Sequence, residues 1–243
     1  MPNLNMELQI KSKKIAILQS NYIPWKGYFD IINSVDEFVI YDEVQYTKND
    51  WRNRNLIKTK DGLKWLTIPV LVKGNFNQKI KDTQIANKKW PSKHWKTICM
   101  SYTRAPFFKV YKNIFEELYL NINSRFLSEI NLNFIQVVNK IMDIRTKISS
   151  STDYEIGIGK TEKLIRICQQ AGANEYISGP SAKGYINEDL FEANNLKLTY
   201  FSYDGYKEYD QLFPPFEHSV SIIDLIMNNG PNSYKYLKSY KNG

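Results

Sequence analysis

The chain has 243 residues, 42% hydrophobic and 24% charged, with a formal net charge of +8; that is the composition of a folded globular protein long enough for one sizeable core or two small ones. No apolar run nears the roughly 18–20 residues that cross a bilayer, and the opening MPNLNMELQIKSK lacks the apolar centre and cleavage site of a signal peptide, so the expectation is a cytoplasmic protein without a membrane span. The lysines are scattered rather than gathered into a stripe, which argues against a nucleic-acid partner despite the basic balance.

After residues 1–13, expected to be a flexible extension, KIAIL (Lys14–Leu18) reads as a buried strand. Trp25–Asn33 reads as an amphipathic helix and Glu37–Tyr41 as a second buried strand. That order predicts a right-handed parallel βαβ unit. NRNLIKTKDGLKWLTIPVLV predicts a hairpin turning at Asp61–Gly62, and IKDTQIAN reads as an added strand. A mainly helical insertion over about 90–145 comes next: KHWKTICMSYTR, then PFFKVYKNIFEELYLN with Pro106 in its first turn, then SRFLSEINLNFIQVVNKIMDIR with Ser124 at a cap position. KISSS is a short strand, TEKLIRICQQAGA a helix capped by Thr161, and EYISG and LKLTYFSY are strands. SVSIIDLIMNNGP closes with a helix ended by Gly230 and Pro231. The alternation predicts a single α/β domain over residues 14–243. Its sheet is mixed and mostly parallel, flanked by helices, with the β-hairpin and the helical segment inserted in the middle of the chain. Cys99 and Cys168 fall in apolar-periodic segments and read as buried reduced thiols.

Four polar loops carry the chemistry. QSNYIPWKGYF has one glycine and neither dinucleotide nor P-loop spacing. It offers hydrogen bonds from Gln19, Asn21 and Tyr22 and flat faces from Trp25 and Tyr28, a set that suits a sugar or a nucleobase; for Trp25 and Phe29 the favoured reading is a core anchor. YDEVQYTKNDWRNRNLIK puts Asp42 at the end of strand two, on the sheet edge that Gln19 occupies, followed by Gln45, Asn49, Arg52, Asn53, Arg54 and Lys58. Arg and Lys there either clamp a diphosphate or keep an edge strand soluble. SGPSAKGYI offers Ser178, Gly179, Ser181 and Lys183 to an anion. His218 and Ser219 precede the last helix without a nucleophile elbow, so Ser219 reads as a cap. His94 and His218 are the two histidines available as general bases, and their separation gives no metal-ligand spacing.

IAILQSNYIPWKGYF, YDEVQYTKNDWRNRNLIK, WLTIPV, YISGPSAKGYI and SIIDLIMNNGP together resemble the WbqC-like family, in order and from about Lys14 to Pro231. Gln19, Tyr22, Pro24, Trp25, Gly27, Tyr28 and Phe29 match its Gln-x-x-Tyr-x-Pro-Trp-x-Gly-Tyr-Phe opening. Asp42, Gln45, Asn49, Trp51, Asn53 and Arg54 match its second pattern, and Ser20 stands where proline is common. The resemblance implies a place in O-antigen, capsule or other surface-glycan biosynthesis, among whose genes such proteins are encoded, and some members are described as glycine or aminoacyl transferases acting on amino sugars. The implied activity is an N-acyltransferase on the amine of a nucleotide-linked deoxy amino sugar. No tightly bound cofactor is implied; the acyl donor would be a thioester on coenzyme A or on an acyl carrier protein, the latter a candidate partner. Within that reading Asp42 or His94 is the expected base, with Asn49 or Gln45 orienting the carbonyl. Gln19, Tyr22, Trp25, Tyr28, Trp51, Asn53, Arg54, Lys58, Ser178, Lys183 and His218 are the expected substrate contacts. Two other readings stand beside it: a non-catalytic sugar-nucleotide-binding or scaffold protein, and a nucleotidylyltransferase-like enzyme, the latter weakened because the first loop has no His-x-x-His.

Overall fold

The computed structural model describes residues 12–75 and 77–240. The expected flexible extension therefore lies, up to residue 11, outside the described residues. Lys13, at its end, donates its ammonium to Glu37 and to the Ala171 carbonyl.

Five short strands form one sheet: β1 (Lys14–Leu18), β2 (Glu37–Ile40), β5 (Lys147–Ser150), β6 (Glu175–Ser178) and β7 (Lys197–Tyr200). Their order is β5-β2-β1-β6-β7 and every pairing is parallel. The chain winds outward from β1 in both directions, so the order reverses between β1 and β6, the crevice where open α/β sheets take their ligands.

Strand alternation makes two cores. Ala16, Phe38, Ile40 and Ile177 face a large one, while Ile15, Ile17, Val39 and Tyr176 face a smaller one. The smaller core is closed by α5 (Thr161–Gln170) and α6 (Glu188–Ala193), the latter a helix with no clear signal in the sequence. Against the larger core pack α1 (Lys26–Asn33), α2 (Trp90–Tyr102), α3 (Phe108–Leu120), α4 (Leu127–Ile141) and α7 (Ile222–Asn229). No helix of the described residues is long and apolar enough to cross a membrane. Both cysteines are free thiols, Cys168 buried and Cys99 partly so.

The hairpin, β3 (Arg54–Thr59) and β4 (Gly62–Thr67), turns at Lys60–Asp61, one residue before the expected dipeptide, and does not join the main sheet; it stands as a separate antiparallel pair. Gly62 has φ +102°, which a side chain would strain. The segment expected as a strand, IKDTQIAN, is instead a 3-10 turn over Ile80–Asp82, followed by single bridges from Gln84 to Phe126 and from Ile85 to Val70. Its alternation serves loop-to-loop pairing, not a ladder. Three cap expectations also shift. Ser124 stands before the cap position of α4, which is Phe126, and its hydroxyl accepts from the Phe126 N–H. Ser221, not Ser219, caps α7 by accepting from the Ile223 N–H. Thr161 lies within α5, and its hydroxyl accepts from the Asn187 N–H.

Glu37 locks the outer strands together. It is fully buried at the start of β2 and accepts from Lys13, Ser149 and Tyr154, with the Lys147 ammonium 3.0 Å away. Burial would push its carboxyl up, but the bonds from Lys13, Tyr154, Ser149 and Lys147 outweigh that and hold it at about 2, below its ordinary 4.5. A carboxyl depressed on folding stabilises the fold above its unfolded value, and that stability is lost as pH falls through the folded one. The resistance of the wild type to urea should thus fall as the pH drops from 4.5 to about 2. Glu37→Gln should be less stable at pH 7 and should lose most of that slope.

Candidate active site at the carboxyl edge

At the reversal of strand order lies a cavity of about 470 Å³. Gln19 follows β1, Tyr41 follows β2, and Ser178 ends β6; Lys160 and Lys163 reach in from the start of α5. The turn that delivers these lysines is Gly157-Ile158-Gly159-Lys160-Thr161, with φ +64° at Gly157 and +95° at Gly159. Gly-Lys-Thr before a helix is the closing half of a phosphate loop, with Tyr154 where its first glycine would stand. The start of α5 adds the positive end of the helix to the two ammonium groups, with Glu162 folded over Gly159 in the same turn, so this end of the cavity is net positive. Ser181 and Tyr185, from the loop after β6, close the other side.

Gln19 links this cavity to a smaller one. Its side-chain oxygen accepts from Arg52 at 3.2 Å, and the other arm of that guanidinium donates to Asn21. Asn21, Trp25 and Trp51 line the second cavity, of about 190 Å³. Asp50 lies 3.7 Å from Arg52. The result is a polar seam from the lysines of α5 to the aromatic faces of Trp25 and Trp51.

Several residues expected at the site are instead parts of the frame. Asp42 is 4% exposed and accepts from the Ser20 N–H, the Ser20 hydroxyl and the Ser128 hydroxyl. Tyr22 is fully buried, its hydroxyl bonded to Tyr119 and to Nδ1 of His94. His94 is buried as well; burial drives its pKa from 6.5 down to about 4, a bond to the Thr67 backbone offsetting part of the fall. Tyr28 donates to the Gln19 carbonyl, and Asn53 donates to the Ile68 carbonyl. Lys58 is 4% exposed and donates to Gln211 and to the Pro215 carbonyl, while the Arg54 guanidinium lies 4.2 Å from the ring centre of Trp65. His218 packs on Phe216 and Lys183 on the Tyr200 ring beside the main cavity. Gln45 and Asn49 are exposed on the loop after β2, Asn49 with φ +57°. The structure thus brings Gln19 and Ser178 to one cavity and Trp25 and Trp51 to the next, and holds Asp42, Tyr22, His94, Asn53 and Lys58 away from both.

A model of the WbqC-like protein family matches residues 19–236. The chain belongs to that family. It is also 48% identical over 226 residues to an uncharacterised protein of Mycobacterium tuberculosis (strain ATCC 25618 / H37Rv), covering 93% of this chain and 98% of that one. No solved structure matches it.

Within this WbqC-like chain the cations that face the main cavity, Lys160 and Lys163, lie outside all five stretches that carried the resemblance. Their signal was present as two glycines just before a helix. Among the described residues no group of His, Cys, Asp and Glu is placed to hold a metal ion.

The burial of His94 and the hydrogen bonds of Asp42 each give a test of the frame. A histidine held neutral at about 4 binds its proton later than in the unfolded chain, so stability rises with pH between about 4 and 6.5. His94→Asn should lower the melting temperature and flatten that slope. Asp42→Asn should cost about 1–3 kcal/mol by leaving buried hydroxyls short of an acceptor, read by denaturant unfolding at pH 7.

Proposed function

We propose that this protein binds a nucleotide-linked amino sugar in the carboxyl-edge cleft and acylates its amine, as an N-acyltransferase of surface-glycan biosynthesis. The observation that carries this reading is the cavity at the strand reversal, closed by the Gly157–Lys163 turn. Lys160, Lys163 and the start of α5 suit a diphosphate; Gln19, Ser178 and Tyr185 suit hydroxyls and a ring. In the reaction the amine nitrogen attacks a thioester carbonyl, a C–N bond forms and the C–S bond breaks. The departing thiolate leaves with the proton that the nitrogen gives up. Gln19, held by Arg52, sits at the junction of the two cavities, where a sugar amine and a carbonyl oxygen would meet.

A second reading, a sugar-nucleotide-binding protein without catalysis, is favoured by one specific observation. Asp42 and His94, the two groups expected to act as base, are both buried and hydrogen-bonded.

Calorimetry with a panel of nucleotide-linked amino sugars, then mass spectrometry with acyl thioesters, tests both. Binding should occur, and Lys163→Ala should weaken it about 10- to 100-fold, the worth of a charge-assisted bond of roughly 1.5–3 kcal/mol. A mass increase of one acyl group on the sugar establishes the transferase. Tight binding with no transfer from any thioester leaves the binding protein, and unchanged affinity in Lys163→Ala removes the phosphate assignment.

A further inference from the structure

Away from the cleft, β4 has one hydrogen-bonded neighbour, β3. In an antiparallel pair every second residue turns its N–H and C=O outward, so the far edge of β4 is without a ladder; at its Thr67 end the carbonyl is taken by His94 of α2, and the open part of the edge is Gly62–Leu66. β3 is covered on its own far side, where the Leu56 carbonyl accepts from the Ser221 N–H and the Lys58 N–H donates to the Tyr102 hydroxyl. Between the free edge of β4 and α2 run two cavities end to end, of about 570 and 270 Å³, which share Lys64 and Thr97.

Four lysines line this groove: Lys60 and Lys64 from the hairpin, Lys89 and Lys93 from the start of α2. All four are exposed, and among the described residues none makes an ion pair. One acidic residue, Asp61 at the hairpin turn, lies among them. Apolar surface is exposed alongside: Leu63 is 47% exposed, Trp65 42% and Met100 74%. Trp90, which also lines the groove, is 3% exposed, and its indole N–H has no protein acceptor.

We propose that this groove docks an extended acidic segment of a partner protein, which adds a third strand to β4. An open strand edge supplies main-chain hydrogen bonds, and side chains at alternate positions supply selectivity. The open part of β4, Gly62–Leu66, gives an edge of roughly 17 Å, room for a segment of similar length. Charge selects the occupant. A second copy of this chain would bring one lysine-lined groove against another, and like charges brought together destabilise a strand pair. Carboxylates on one face of the incoming strand meet the lysines, and its apolar face covers Leu63 and Trp65. This assignment does not depend on the cleft or its ligand.

The test uses the intact protein and a fluorescein-labelled eight-residue peptide of alternating Glu and Val, followed by fluorescence anisotropy. The peptide should bind, more weakly as salt rises, and amide exchange of β4 should slow in the complex. K64E/K93E should reduce affinity at least about tenfold with an unchanged melting temperature. A peptide N-methylated at alternate residues should lose binding, since its carboxylates remain but its strand hydrogen bonds do not. Absence of binding, or equal binding of the N-methylated peptide, of octaglutamate or of heparin, would overturn the proposal, the last three by showing charge without strand addition. Binding unaltered by K64E/K93E would place the peptide elsewhere. A dimer of the wild type that K64E abolishes would assign the edge to self-association instead.

Discussion

A carboxylate with no water around it must find donors or lose its charge. Asp42 meets that demand with three, and they come from separate parts of the chain: the backbone and hydroxyl of Ser20 after β1, and Ser128 in α4. Asn131, one turn further along α4, ties the same Ser20 hydroxyl to the Arg52 carbonyl. One buried carboxyl group and its bonds therefore fix the exit of β1, the exit of β2, the loop carrying Arg52 and α4 relative to one another. Gln19 sits next to Ser20 and is held by Arg52, so its place in the cleft is a consequence of that knot.

The first loop is held as tightly by its neighbours. Ile23 has φ +37°, an unfavourable value for a β-branched residue. Asn55 donates to the carbonyls of both Tyr22 and Ile23, the Tyr22 N–H donates to Trp51, and the Pro24 carbonyl accepts from Ile222. Gly27 is required beside it, since a Cβ there would stand 2.3 Å from the Trp25 ring. Lys26, 3% exposed, donates to the Lys207 carbonyl with the rings of Tyr206, Tyr209 and Phe216 within 5.6 Å. Burial lowers its pKa to about 8 against the pull of Asp30, Glu208 and Asp224. Much of what reads as a ligand-binding sequence is the scaffold that lets the cleft exist.

This explains what was legible beforehand. The strands of the first βαβ unit, the hairpin and the long helices follow from periodicity and turn chemistry, which are local, and Gln19 and Ser178 follow from position at strand ends. Lys58 and Tyr22 are different. Their partners, Gln211 and Pro215 for one and His94 and Tyr119 for the other, are 72 to 157 residues away in the chain. A buried lysine and an exposed one are spelled alike, and only tertiary partners separate them. α6 was missed because six residues span less than two turns, too few for a period to show.

The Tyr119, Tyr22 and His94 contacts have a direction. The Thr67 carbonyl can only accept, so the imidazole nitrogen facing it carries the hydrogen and Nδ1 must accept from Tyr22. Tyr22, having spent its one hydrogen, must accept from Tyr119. Every hydrogen in the row points the same way, from α3 through the first loop to the end of β4. The two tyrosines are consequently unequal. Loss of the Tyr119 hydroxyl strands only a lone pair at the end of the row, whereas loss of the Tyr22 hydroxyl leaves an imidazole nitrogen without a donor and a phenol without an acceptor.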